Sequence, residues 1–408
     1  MNFSESINNA ILEIKNNKFR FSLTMLGILI GVGSIVLMMS ITKGFDNYIK
    51  GELSNLGSNI FYIQKYPSGI VIGGNFRRRK DLTLDDAYAI EKYCPNVKFV
   101  AATAFDFGKR IFFKDKKTNP DVRIYAITEN YFPLMNYNID KGRALTYYDI
   151  IYKKNYCLIG KSLEEKLFGN INPINKKVKI SNQLFKIIGT IKKRGSFLGQ
   201  DLDNVIFIPI TSLYKITHKI KNDINIAVSV SDLSKYEETI KEVEKIMRKR
   251  RKLQPGEKND FEIVTQEDIK KSSNNIINAI FIATVGIASL SLLVGGIGIM
   301  NIMLVVVRER RKEIGIRKAI GATNSDIVKQ FLTESIFICM IGGMLGFIIG
   351  IIIAYLIKIL LNFPIGISYI SGISALLFSS IIGIFFGLYP AIKASKINPI
   401  EAIHDLSI

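Results

Sequence analysis

The chain has 408 residues and a formal net charge of +20, from 55 Lys and Arg against 35 Asp and Glu. Hydrophobic residues make up 48%, charged residues 22%, and mean hydropathy is +0.22, a balance that excludes a disordered chain. An ordinary soluble enzyme is excluded too, because the apolar residues gather into uncharged stretches at 21–42, 272–307, 335–357 and 359–392, each long enough for the roughly 20-residue helix that crosses a bilayer.

In chain order, residues 1–20 predict a short amphipathic helix, with Phe3, Ile7, Ile11 and Ile14 on one face, lying in the cytoplasmic interface of the membrane. Residues 21–42 form the first transmembrane helix. The stretch is too long for a signal-peptide core, and no small-residue cleavage site follows before Lys43. The helical rhythm runs on through Phe45, Tyr48, Ile49, Leu53 and Leu56, so the helix extends outside to about 56 and stops at Gly57.

Residues 57–265 read as an extracytoplasmic α+β domain. Strand patterns fall at 60–65, 97–104, 122–128, 183–190, 205–209, 224–230 and 261–265. Thr83 with Asp86 caps a helix over 84–93, and 233–251 is a second helix with Tyr236, Ile240, Val243 and Met247 on one face. The alternation suggests two lobes, one inserted in the other. Residues 266–307 give a stalk and the second span. Their uncharged part alone would be about 54 Å of helix, against a hydrocarbon core of about 30 Å.

The short segment 308–329 holds seven basic residues, which places it in the cytoplasm. The third span (330–357), a short outer loop (358–368), the fourth span (369–391) and a cytoplasmic tail (392–408) follow. The fold class is therefore a four-helix membrane protein with a large extracytoplasmic α+β domain between helices 1 and 2, both termini cytoplasmic. The strongly basic outer domain does not oppose this, since the charge rule concerns short loops.

Several chemistries are missing. The Gly160-Lys161-Ser162 run has Asn155 where a nucleotide-binding loop needs its first glycine. The two histidines, His218 and His404, are far apart in sequence, which removes His-based metal and triad chemistry. No catalytic residue or metal site is expected. Cys94 and Cys157 could pair if exported, but do not make a disulfide framework. The basic runs at 77–80 and 248–252 suit solvent, anionic lipid or envelope polymer rather than nucleic acid. The spans instead carry close-packing signals: Gly27/Gly31, Gly295 with Ser291, Gly342/Gly346/Gly350 and Gly383/Gly387, spaced for helix packing within a chain or across a dimer.

The loop Val307-Arg308-Glu309-Arg310-Arg311-Lys312-Glu313-Ile314-Gly315-Ile316-Arg317-Lys318-Ala319-Ile320-Gly321-Ala322 closely resembles the loop between the second and third spans of MacB-type ABC permeases. Leu23-Thr24-Met25-Leu26-Gly27-Ile28, Leu56-Gly57-Ser58-Asn59, Gly199-Gln200-Asp201-Leu202-Asp203 with Pro209, Gly295-Gly296-Ile297-Gly298-Ile299-Met300-Asn301, Tyr389-Pro390-Ala391 and Asn398-Pro399-Ile400-Glu401-Ala402 keep the family's order. The resemblance implies an FtsX-like permease domain at about 276–402 in a bacterial inner membrane. It implies a homodimer working with an ATPase subunit, which binds the ATP and Mg. A membrane-fusion or other envelope accessory protein is a further option.

Founding members carry the ATPase ahead of the first span. With only about 20 residues there, a separate ATPase is expected. Arg308, Arg310, Glu313, Ile314, Gly315, Arg317 and Lys318 would then form the coupling helix that docks on it, and Gly199, Asp201, Asp203 and Pro209 an outer-domain motif. Two function classes follow. One is a permease that transmits ATP-driven motion to its outer domain to export or extract a drug, peptide or lipoprotein. The other is a membrane scaffold or receptor that regulates wall hydrolases or senses an envelope ligand without transport.

Overall fold

The computed structural model describes residues 18–56, 59–67, 76–197, 200–217, 224–361, 363–366 and 369–404. The interfacial helix expected over 1–20, the stop at Gly57, and Gly199 and His218 lie wholly or largely outside them. Among the described residues, four helices are long and apolar enough to cross a membrane. They are the first span, Lys18–Leu56; the second, Gln266–Glu309; the third, Asn324–Leu361; and the fourth, Tyr369–Ser395. A short loop helix, Arg311–Ala319, lies between the second and third, and a tail helix, Pro399–His404, follows the fourth. The chain divides into two compact units, one of residues 1–48 with 276–408 and one of residues 49–275.

The first two spans run as far beyond a bilayer's length as the sequence indicates. At about 1.5 Å per residue, the 39 and 44 residues of these helices exceed a hydrocarbon core of about 30 Å. The third span differs from expectation. It begins at Asn324 rather than at 330, because Thr323 and Asp326 form a capping box, each bonding the other's backbone N–H. Three other Thr-x-x-Asp boxes start helices in the same way, at Thr83, Thr146 and Thr265, each worth about 1 kcal/mol.

The glycines bring the four spans together within one chain. A Cβ on Gly27 would lie 2.8 Å from the Gly295 Cα, and one on Gly31 would strike Leu292. Gly342, Gly346 and Gly350 of the third span face Ile28, Leu29 and Gly33 of the first. Gly383 and Gly387 of the fourth meet Ile336 and Ser335 of the third. All eight are thus occupied by contacts between helices of the same chain, so a second copy would have to meet another surface.

The other unit is built on β1 (Ile60–Gln64), β2 (Val97–Lys109), β3 (Ile111–Phe113), β4 (Lys116–Lys117), β5 (Val122–Ile127), β6 (Ile139–Gly142), β7 (Tyr156–Ile159), β8 (Lys177–Ile180), β9 (Gln183–Ile191), β10 (Ser196–Phe197), β11 (Gln200–Asp201), β12 (Val205–Pro209), β13 (Asn225–Val230) and β14 (Glu262–Thr265). Twelve of these form one mixed sheet, in the order β14-β1-β13-β2-β5-β12-β7-β9-β8-β3-β4 with β6 also beside β9. β10 and β11 pair apart as a small hairpin.

Side chains alternate across this sheet. One face, with Phe61, Ala102, Ile124, Ile159, Phe185 and Ile206, is buried in the large core that also takes in the helices Leu84–Tyr93, Lys161–Phe168 and Tyr236–Arg250. The opposite face has a smaller core around Tyr131, Phe132, Leu158, Ile188 and Phe207. No residue of β3, β4 or β8 belongs to that second core. Cys94, Cys157 and Cys339 are free and buried.

Replacing Gly27 by Ile should disturb packing of the first span on the second, because the added atoms meet backbone that cannot rotate away. Overpacking of this kind costs about 1–3 kcal/mol. The detergent-solubilised variant should melt several degrees below wild type; an unchanged melting temperature would contradict the contact.

Candidate functional site: the loop between the second and third spans

The second span ends at Glu309 and the loop helix starts at Arg311, so Arg310 stands at the joint. Its guanidinium is shared between two carboxylates. Nε and Nη2 donate to Glu313 at 2.9 and 3.1 Å, and Nη1 donates to both Glu334 oxygens at 3.2 Å. The circuit then closes. Gln330 Nε2 donates to Glu334 at 3.2 Å, Arg317 Nη1 donates to Gln330 at 2.7 Å, and Arg317 Nη2 lies 2.6 Å from Glu313. Five side chains make a ring with no net formal charge, three from the joint and loop helix and two from the third span.

The ring exists because Glu334 is 2% exposed. A carboxylate taken out of water needs a paired cation and further hydrogen bonds, and Arg310 and Gln330 supply them. Burial opposes the Arg310 charge, but hydrogen bonds and charge from Glu313 and Glu334 raise its pKa above the ordinary value. The Arg310 hydrogen bond, with the charges of Arg310 and Arg317, holds the Glu313 carboxyl below its ordinary value.

The remaining loop residues divide by side. Ile314 and Gly315 are buried, Ile314 in one core with Ile327 and Phe331 of the third span. Lys318 Nζ donates to the carbonyls of Ser395 and Ile397 at 2.8 and 2.9 Å, capping the end of the fourth span. Arg311 is 3.8 Å from Glu401 of the tail helix. These two links set the loop and tail helices side by side, running in opposite directions. Arg308 is exposed at the end of the second span.

Of the seven residues assigned to coupling by resemblance, Arg310, Glu313 and Arg317 therefore face the bundle in the ring. Ile314 and Gly315 are packed, and Lys318 is a cap. Besides Arg308, the exposed residues along the loop helix and at its end are Lys312, Ile316, Ala319 and Ile320, with Ile316 43% and Ile320 82% exposed. Their spacing was readable as a helix face. Gln330 had no visible signal, being a polar residue just before the apolar stretch. Glu334 had one, as an ionisable residue at the edge of a span.

The described residues of the Asp201–Pro209 motif make local contacts. The Asp203 carboxylate accepts the backbone N–H of Arg194 and of Gly195, both at 2.8 Å, and Asp201 accepts that of Asp203 at 2.9 Å. Asp201 and Asp203 thereby brace the loop that carries the β10–β11 hairpin. Pro209 ends β12 opposite Ile127. Among the described residues, no group of three His, Cys, Asp or Glu side chains is placed to hold a metal ion.

Residues 21–246 match the family model for the MacB-like periplasmic core domain, and residues 285–399 that for the FtsX-like permease C-terminal region. The chain is 31% identical over 405 residues to the uncharacterized ABC transporter permease YknZ of Bacillus subtilis, covering 99% of each. It is 34% identical over 404 residues to the macrolide export ATP-binding/permease protein MacB of Bdellovibrio bacteriovorus, covering 98% of this chain and 61% of that protein. The crystal structure of the periplasmic region of MacB from Actinobacillus actinomycetemcomitans aligns with a TM-score of 0.45 at 21% identity, over 56% of this chain and 98% of that one. The chain spans about three fifths of the length of the MacB relatives.

A multi-pass membrane protein with this domain order is an ABC transporter permease. The chain belongs to the MacB-type family of these permeases, which also takes in YknZ.

Replacing Arg310 by Met should destabilise the four-span unit by about 3–5 kcal/mol, because Glu334 is left buried without its cation. The sign of the pH dependence follows from Glu313. A carboxyl whose folded pKa is depressed contributes stability that is complete above its ordinary value of 4.5 and is lost as pH falls through the folded value. Thermal melts should therefore show an acid-side fall that Glu313→Gln flattens; identical pH profiles would show that the ring carries no such linkage.

Proposed function

We propose that this permease passes ATP-driven motion from an ATPase at its loop helix, through the third span, to its outer unit, and so exports or extracts a drug, peptide or lipoprotein. The observation that carries this is the ring around Glu334. A helix pinned to a span by buried, charge-assisted bonds cannot swing freely, so force applied to it moves the span. The ATP and Mg would sit on the ATPase, outside these 408 residues. The permease would act as a homodimer in the bacterial cytoplasmic membrane, with the basic loop and both termini on the cytoplasmic side.

On this reading the ATPase seats on the outward face of the loop helix, at Lys312, Ile316, Ala319 and Ile320, rather than on the ring. An exposed isoleucine at the centre of an interface is a usual source of affinity. Ile320→Glu should weaken co-purification with the cognate ATPase at least tenfold, about 1.4 kcal/mol, while leaving the melting temperature unchanged. Reversing Glu313 to Lys should do both kinds of damage, since it breaks the ring from within. Wild-type ATPase binding by Ile320→Glu would contradict the docking face.

A further inference from the structure

The sheet of the outer unit leaves part of one face bare, and what stands on that part is regular. Cross-strand register places Lys117 of β4, Phe112 of β3, Lys179 of β8 and Leu184 of β9 in one row. The next row holds Lys177 of β8, Lys186 of β9 and Tyr156 of β7. Phe112 is 40% and Leu184 56% exposed, Lys117, Lys177 and Lys179 are exposed, and Lys186 and Tyr156 are half-buried. Among the described residues, none of the four ammonium groups has an ion-pair or hydrogen-bond partner. Beyond the second row Arg143 lies over the Tyr156 ring at 5.7 Å, with its charge met by Asp149.

This arrangement works against folding. Like charges directly opposite in an antiparallel pair repel, and Lys177 faces Lys186 in that way. Phe112 and Leu184 add apolar surface that no element of the described chain covers. Both features are relieved by the same kind of partner, one that carries carboxylates around apolar side chains. The opposite face of β3, β8 and β9 is packed: Ile111, Val178, Ile180 and Phe185 lie in the large core. The bare face is therefore not a consequence of disorder in the strands.

We propose that these two rows are a docking face for an acidic polypeptide, in the form of an amphipathic helix lying across the strands. The spacing suits it. Neighbouring strands are about 4.8 Å apart, so Lys117 and Lys179, two strands apart, are separated by about 9.6 Å. Carboxylates seven residues apart on a helix are separated by about 10.5 Å, and an apolar side chain midway between them meets Phe112. An open sheet face suits a macromolecule, whereas small ligands take concave sites. A bilayer fits less well. Only two apolar side chains, Phe112 and Leu184, are exposed among these four lysines, too little apolar surface for insertion into a membrane. The proposal is independent of which partner drives the cytoplasmic loop.

The test uses the full-length chain in nanodiscs of phosphatidylcholine and a 21-residue helical peptide with Glu every seventh residue and Leu midway between. Wild type should bind the peptide in a salt-sensitive way. A Lys177→Glu, Lys179→Glu double variant should bind at least tenfold more weakly, and Lys241→Glu, on a helix covering the other face, should bind like wild type. The double variant should not melt lower, because it removes repulsion. A peptide in which Lys replaces each Glu should not bind wild type. Failure of wild type to bind the acidic peptide, equal binding by the double variant, or binding of phosphatidylglycerol vesicles in place of the peptide would overturn the proposal.

Discussion

A carboxylate buried at the edge of a membrane span has few ways to remain charged. Glu334 meets the problem with Arg310, and much of the bundle's geometry follows. Arg310 is the single residue between the end of the second span and the start of the loop helix, so pairing it with the third span fixes the angle at which the chain turns. Glu313 and Arg317, one helical turn apart, complete the circuit through Gln330. The loop helix is thereby held along one side, with Ile314 wedged beneath it, and its opposite side is exposed.

The spans must be close for such a ring to form, and the glycines allow it. Gly27 on Gly295, Gly350 on Gly33 and Gly383 on Ile336 are backbone-to-backbone contacts. In a bilayer, where lipid tails are as apolar as side chains, this kind of close packing is the main source of helix association. Lys318, by closing the end of the fourth span, joins that helix to the same loop. On the proposed mechanism, a push on the loop helix would reach the third span through the ring and the fourth through a cap.

Much of this was legible in the sequence. The four spans, their overlong first pair and the seven main strands follow from length, charge and alternation. These signals are local and strong. The start of the third span at Asn324 was missed because Thr323 and Asp326 were read as loop residues rather than as a cap. The short strands β3, β4, β6, β7, β8, β10 and β11 were missed because two to four residues give too few alternations to count.

The loop expected over 308–329 is shorter in the structure, between Glu309 and Asn324, and the direction of its residues was not readable. Arg310, Glu313 and Arg317 share a helical face whatever that face meets. Only the position of Glu334 and Gln330 on another helix turns them inward. The glycine pairs had the same ambiguity: their spacing announces close approach without saying whether the neighbour is the same chain or a second copy. Asp203 was noticed only through the family resemblance of its motif; its carboxylate accepts the N–H groups of Arg194 and Gly195, a local contact that residue spacing alone does not announce.

On the proposed mechanism, the ring makes the loop helix and the third span one mechanical body. Amide hydrogen exchange of the full-length chain tests this most directly, since exchange reports local opening free energy. Exchange across 314–319 should be slow in wild type and at least tenfold faster in Arg310→Met, while the middle of the third span stays protected. Equal protection of 314–319 in both proteins would contradict it, because the loop helix would then be held by something other than the buried pair.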